Sequence, residues 1–158
     1  MRAIILSLVL VSSLPVFAQQ ERDTVLSRCP VFITDTATSN NFFIEARPAT
    51  LRVNRVRGDL TIAVEQKDQF FTMFFKGGKL KNTTYKISFN PDGRNEIAAK
   101  YSFRSGDQVS YVNVSNGTVQ TTWDKEKKLW KVKVLGMIAN LVERTVTYYR
   151  VKADFTIK

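Results

Sequence analysis

A chain of 158 residues with a formal net charge of +10 is long enough for one domain that buries about two-thirds of its unfolded surface. It contains no histidine, which excludes every triad built on imidazole and removes the commonest general base at neutral pH. With a single cysteine besides, an ordinary zinc site and an intrachain disulfide are both excluded, so no metal and no cofactor is expected.

Met1–Ala18 reads as a cleavable export signal. Arg2 supplies the basic start, Ala3–Val11 a short apolar run broken only by Ser7, and Val16-Phe17-Ala18 the small or aliphatic residues that a signal peptidase accepts. The run is well short of the roughly 20 residues of a bilayer-spanning helix, and no later segment makes a transmembrane helix. The expected location is therefore secreted or periplasmic. Residues 19–30 read as a polar N-terminal arm. Within it stands Cys29, either a buried thiol acting as a small apolar group or the link of a disulfide dimer.

From Val31 to Lys158 the pattern has period two with turn residues between the runs, the mark of half-buried strands in one domain. Phe42–Arg47 reads as a short strand ending before Pro48. Thr50–Val56 alternates, Arg57-Gly58-Asp59 turns, and Leu60, Ile62 and Val64 alternate again. Gln69–Lys76 is a further strand closed by Gly77-Gly78. Tyr85–Phe89 leads to the strong turn Asn90-Pro91-Asp92-Gly93, and a return strand sets Ile97, Ala99, Tyr101 and Phe103 on one face. Ser105-Gly106-Asp107 turns into Gln108–Val114, and Asn116-Gly117 is a hairpin signal. Thr118–Trp123, a charged turn at Asp124–Lys127 and Leu129–Leu135 follow. Gly136–Leu141 interrupts the scheme as a bend or one helical turn. Tyr149, Val151, Ala153, Phe155 and Ile157 line one face of the last strand. The fold class is all-β: an antiparallel barrel or sandwich of about nine or ten strands joined mostly by hairpins. An outer-membrane barrel also alternates, but here Thr, Asn and Ala interrupt the apolar faces and the chain ends without a terminal aromatic.

Three constellations carry chemistry. Phe70, Phe71, Met73, Phe74 and Phe75 place apolar bulk on both faces of one strand. That fits a central strand covered on both sides, or a strand whose second face meets an apolar ligand or a partner. Arg52, Arg55, Arg57, Lys131 and Lys133 make a basic face if their strands are neighbours; otherwise they are solvated charges that discourage edge pairing. Further lysines, Lys76, Lys79 and Lys81, surround the Gly77-Gly78 turn. Glu45, Glu65 and Glu96 fall in or beside strands, but nothing in their spacing requires the facing pair of a glycosidase.

The expectation is an exported, non-catalytic binding protein for an amphipathic or anionic ligand, lipid-like or a cell-envelope polyanion. The alternative is a secreted protein–protein interaction module, such as an adhesin, inhibitor or assembly subunit. A hydrolase working without histidine stands third. Nucleic acid is a poor partner for an exported chain with no nucleic-acid motif. A ligand binder should enclose a cavity. An interaction module should have a filled core and an open edge strand or flat apolar patch.

Overall fold

The computed structural model describes residues 22–142 and 144–158, so the expected signal peptide Met1–Ala18 lies outside the described residues. The strands are β1 (Arg22–Leu26), β2 (Val31–Asp35), β3 (Ala49–Val56), β4 (Asp59–Gln66), β5 (Gln69–Phe75) and β6 (Thr83–Ile87). They continue with β7 (Glu96–Ser105), β8 (Gln108–Asn113), β9 (Asn116–Asp124), β10 (Leu129–Val142) and β11 (Thr145–Ile157). Among the described residues there is no helix.

These form one mixed sheet of 11 strands in the order β1-β3-β4-β5-β7-β6-β9-β10-β11-β2, with β8 also on β7. The sheet is open, not a closed barrel: β1 pairs only with β3 and β2 only with β11 in the ladders of the described residues. Burial follows the alternation that the sequence shows. Leu60, Ile62 and Val64 on β4, and Val151, Ala153, Phe155 and Ile157 on β11, point into a single apolar cluster. Each of these side chains other than Ala153 contributes about 1.5–3 kcal/mol by leaving water.

The sheet consists of two runs of antiparallel neighbours, β1-β3-β4-β5-β7-β8 and β6-β9-β10-β11-β2. They are joined by a short parallel seam, where Lys86 pairs with Glu96 and Ile87 with Ile97. The expected β6–β7 hairpin is thus corrected. The Asn90–Gly93 segment closes a loop that returns the chain beside the end of β6 running in the same direction, with Ser88 N donating to Ile97 O at 2.9 Å. Side chains of the two runs meet over one core: Phe42, from the segment after β2, packs at once on Tyr101 of β7 and Tyr149 of β11.

Three further segments differ from expectation. Phe42–Arg47 is not a strand but an irregular loop. Its backbone is tied by isolated bonds, such as Cys29 N donating to Glu45 O at 3.0 Å, and by one side chain: Ile44 N donates to Gln66 Oε1 at 2.8 Å, and Gln66 Nε2 donates to Ile44 O at 2.8 Å and to Arg47 O at 3.2 Å. Gly136–Leu141 is neither bend nor helical turn but lies in the second half of β10. Asn116-Gly117 is not a hairpin turn; it opens β9, where Gly117 lies opposite Gly136 of β10. The two backbones meet there so closely that a Cβ on Gly117, whose φ is +140°, would overlap the Leu135 carbonyl oxygen and stand 2.5 Å from Gly136 Cα. The glycine that looks like a turn residue in the sequence serves a close approach.

Candidate functional site

On β5 the expected apolar residues divide between the two faces. Phe71 (0% exposed), Met73 (0%) and Phe75 (2%) belong to the core. Phe70 and Phe74 lie half-buried on the outer face under cations from β7, with Lys100 Nζ 5.0 Å from the Phe74 ring centre and Arg104 Cζ 5.9 Å from that of Phe70. They therefore do not line one pocket.

The expected basic residues are also separated. Arg52 lies on β3, while Lys131 and Lys133 lie on β10, with β4, β5, β7, β6 and β9 between those strands. Arg52 pairs with Glu65 at 2.8 Å and Asp23 at 3.3 Å, Lys131 with Asp124 at 2.9 Å, and Lys133 with Asp154 at 3.9 Å. Arg55 lies at the end of β3 and Arg57 in the β3–β4 turn. Cys29 is 1% exposed, and burial pushes its thiol pKa up, so a dimer disulfide would require the core to open. Of the acids, Glu65 is held by Arg52, and Glu96 accepts a hydrogen bond from Asp92 N at 3.4 Å.

What the structure brings together instead is a split in the sheet. Among the described residues β8 pairs only with β7, from Lys100↔Asn113 to Ser105↔Gln108. Among the described residues β10 pairs with β9 as far as Met137↔Asn116, and beyond that point only with β11. The chain crosses from one bank to the other at Val114-Ser115. There Val114 N donates to Ala99 O at 2.9 Å, and Ser115 N and Oγ both donate to Met137 O, at 2.8 and 2.9 Å. Away from this crossing, β8 and Ile138–Val142 each present an edge that no ladder among the described residues occupies.

The split opens inward onto a cavity of about 280 Å³. Tyr101, Phe103 and Val112 form one bank, Ile138, Asn140 and Tyr149 the other, and Phe42 lies between them. The Phe42 ring centre is 5.3 Å from that of Tyr101 and 4.9 Å from that of Tyr149. The Tyr101 hydroxyl donates to Gln69 Oε1 at 2.9 Å, and burial pushes its pKa up to about 12, so it remains a donor at neutral pH. Gln66, by clasping the Phe42–Arg47 segment, fixes Phe42 in this position.

The composition of the two edges is unusual. β8 reads Gln-Val-Ser-Tyr-Val-Asn and the facing part of β10 Ile-Ala-Asn-Leu-Val, with neither charge nor proline. Charges and prolines are the usual devices that stop an edge from recruiting another strand. On the outer side of β8, Val109 is 57% and Tyr111 63% exposed. Sequence reasoning missed this site because the Asn116-Gly117 turn signal placed β8 and β9 in one hairpin. The uncharged runs were the available signal.

A second concentration of functional groups lies where the β3–β4 turn meets the segment between β5 and β6. Arg55, Gly58, Lys76, Gly77, Gly78, Lys79 and Lys81 border an open groove of about 720 Å³. Among the described residues no group of His, Cys, Asp and Glu suited to a metal comes together, and no helix is long and apolar enough to cross a membrane. Comparison with protein-family models, with curated proteins and with solved structures finds no match to this chain.

Proposed function

We propose that the protein is an exported interaction module that binds an extended segment of a partner protein by strand addition at the split between β8 and β10. The observation that carries this reading is the pair of uncharged edges facing each other across an aromatic-lined cavity. An added strand takes main-chain hydrogen bonds from an edge and specificity from pockets for alternate side chains. At about 280 Å³ the cavity lies below the roughly 300–1,000 Å³ of pockets for whole small ligands. It exceeds the roughly 150 Å³ that holds one benzene-sized group. Its size therefore suits one large apolar side chain better than an acyl chain.

In this reading the partner segment alternates. An aromatic or branched side chain enters beside Tyr101, Phe103 and Ile138, with the Asn140 amide at the rim, and the next residue faces outward beside Tyr111. No residue takes a chemical step. The Met1–Ala18 pattern supports an exported setting.

The test is selection from a displayed library of random nine-residue peptides, followed by measurement of the selected peptides on the protein and on its Val112→Trp variant. The proposal expects peptides with alternating apolar residues that protect β8 and residues 138–142 from hydrogen exchange and fail to bind the filled variant. Peptides that bind Val112→Trp equally well refute it. So does an absence of selected peptides together with a melting temperature raised by long-chain fatty acids.

A further inference from the structure

We infer that the end of the molecule around Trp123 and Trp130 is a binding site for an anionic saccharide, a sugar ring carrying sulfate, phosphate or carboxylate groups. This site does not involve the split and stands or falls separately from strand addition.

Trp123 and Trp130 pair across the β9–β10 ladder as its last inward-facing rung, with ring centres 5.4 Å apart and tilted by 55°. They border a hollow of about 330 Å³, closed from the other half of the sheet by Val53 and Leu60. Arg55 and Lys79 border both this hollow and the adjoining groove, which adds Lys76 and Lys81. The two are therefore one continuous surface: indole faces at one side, ammonium and guanidinium groups at the other.

The geometry is held from below. Arg55 Nε donates to Gly78 O at 2.9 Å, and Gly77 N donates to Asp59 Oδ1 at 2.9 Å, so the loop that carries the lysines is tied to the β3–β4 turn. Among the described residues no Asp or Glu borders either the hollow or the groove. The acids nearest in sequence are engaged: Asp59 on Gly77 N, and Asp124 on Lys127 N at 3.0 Å and Lys131 Nζ at 2.9 Å.

Lysines in a merely solvated surface need no aromatic platform beside them, and a merely structural Trp pair needs no row of cations at its side. Together they match a ligand with two faces. Indole rings offer broad planar contact to the C–H face of a pyranose, and cations beside them take its anionic substituents. A shared site for several anions also produces a positive field that raises local ligand concentration and weakens with salt.

Both tryptophans of the chain are in this site, so indole emission reports on it alone. The experiment titrates a heparin-derived sulfated tetrasaccharide, with maltotetraose, inorganic pyrophosphate and phosphatidylglycerol vesicles as separate arms. The expected result is a saturable change in emission with the sulfated tetrasaccharide and none with maltotetraose. In the Lys79→Ala/Lys81→Ala variant, affinity should fall by about tenfold or more while the melting temperature is kept. Vesicle binding that the tetrasaccharide competes away supports the same site with a lipid headgroup as source. The inference is overturned by no response to the tetrasaccharide, by equal affinity for maltotetraose or pyrophosphate, or by vesicle binding that the tetrasaccharide does not compete for.

Discussion

Gln66 is 4% exposed and connects the core to the candidate site. Replacing it by Met keeps a chain of similar length and removes the hydrogen bonds to Ile44 N, Ile44 O and Arg47 O. Three such bonds, at about 1 kcal/mol each, give a loss of about 3 kcal/mol, even though Ile44 O keeps its hydrogen bond from Arg47 N at 3.0 Å. With a urea m-value of about 2 kcal/mol/M, the unfolding midpoint should fall by about 1.5 M. Urea denaturation followed by far-UV circular dichroism is the assay, and residue-resolved hydrogen exchange should show Ile44 and Arg47 losing protection first. Because Phe42 would lose its anchor, peptides selected on the split should bind more weakly as well. A midpoint shift below about 0.3 M would refute the reasoning. It would mean that packing of Phe43, not the amide clasp, holds the segment.

Gly117→Ala should destabilise by about 2–4 kcal/mol in urea denaturation, combining backbone strain with overlap at the Gly136 crossing. On β5, Phe71→Ala should cost about 3–5 kcal/mol. Phe74→Ala, on the outer face under Lys100, should cost only about 1 kcal/mol, and equal losses would contradict the opposed faces of this strand. Since the Tyr101 phenol is pushed up to about 12 by burial, its contribution to stability is complete below pH 10 and is lost as pH rises through 12. The alkaline fall in melting temperature should therefore be shallower in Tyr101→Phe than in the parent protein.

Most strands were legible because they are half-buried: Leu60, Ile62 and Val64, or Val151 to Ile157, point inward at every second position and the pattern says so without any knowledge of neighbours. The turn at Arg57-Gly58 was equally local. What escaped depends on contacts distant in sequence. Phe42–Arg47 has the composition of a strand, yet the amide of Gln66 captures its backbone before any ladder does. Gly117 has the turn signature of Asn-Gly, yet its need is for space against Gly136. The parallel seam at Lys86 and Ile87 carries no local signal. The candidate site inherits these errors, since the split exists only because β8 leaves β9 for β7. The basic face failed for the same reason: charge content is visible in the sequence, but strand order, which separates Arg52 from Lys131 and Lys133, is not. The Gly77-Gly78 lysines stayed together because they share one loop.

Residue-resolved amide hydrogen exchange of the free protein tests the split most directly. An open split gives fast exchange at alternate amides of β8 and of residues 138–142, beside strong protection in β9 and in residues 129–137 of β10. Uniform protection along β8 and residues 138–142 would contradict it, because those edges would then be paired with each other and no partner strand would have a place to enter.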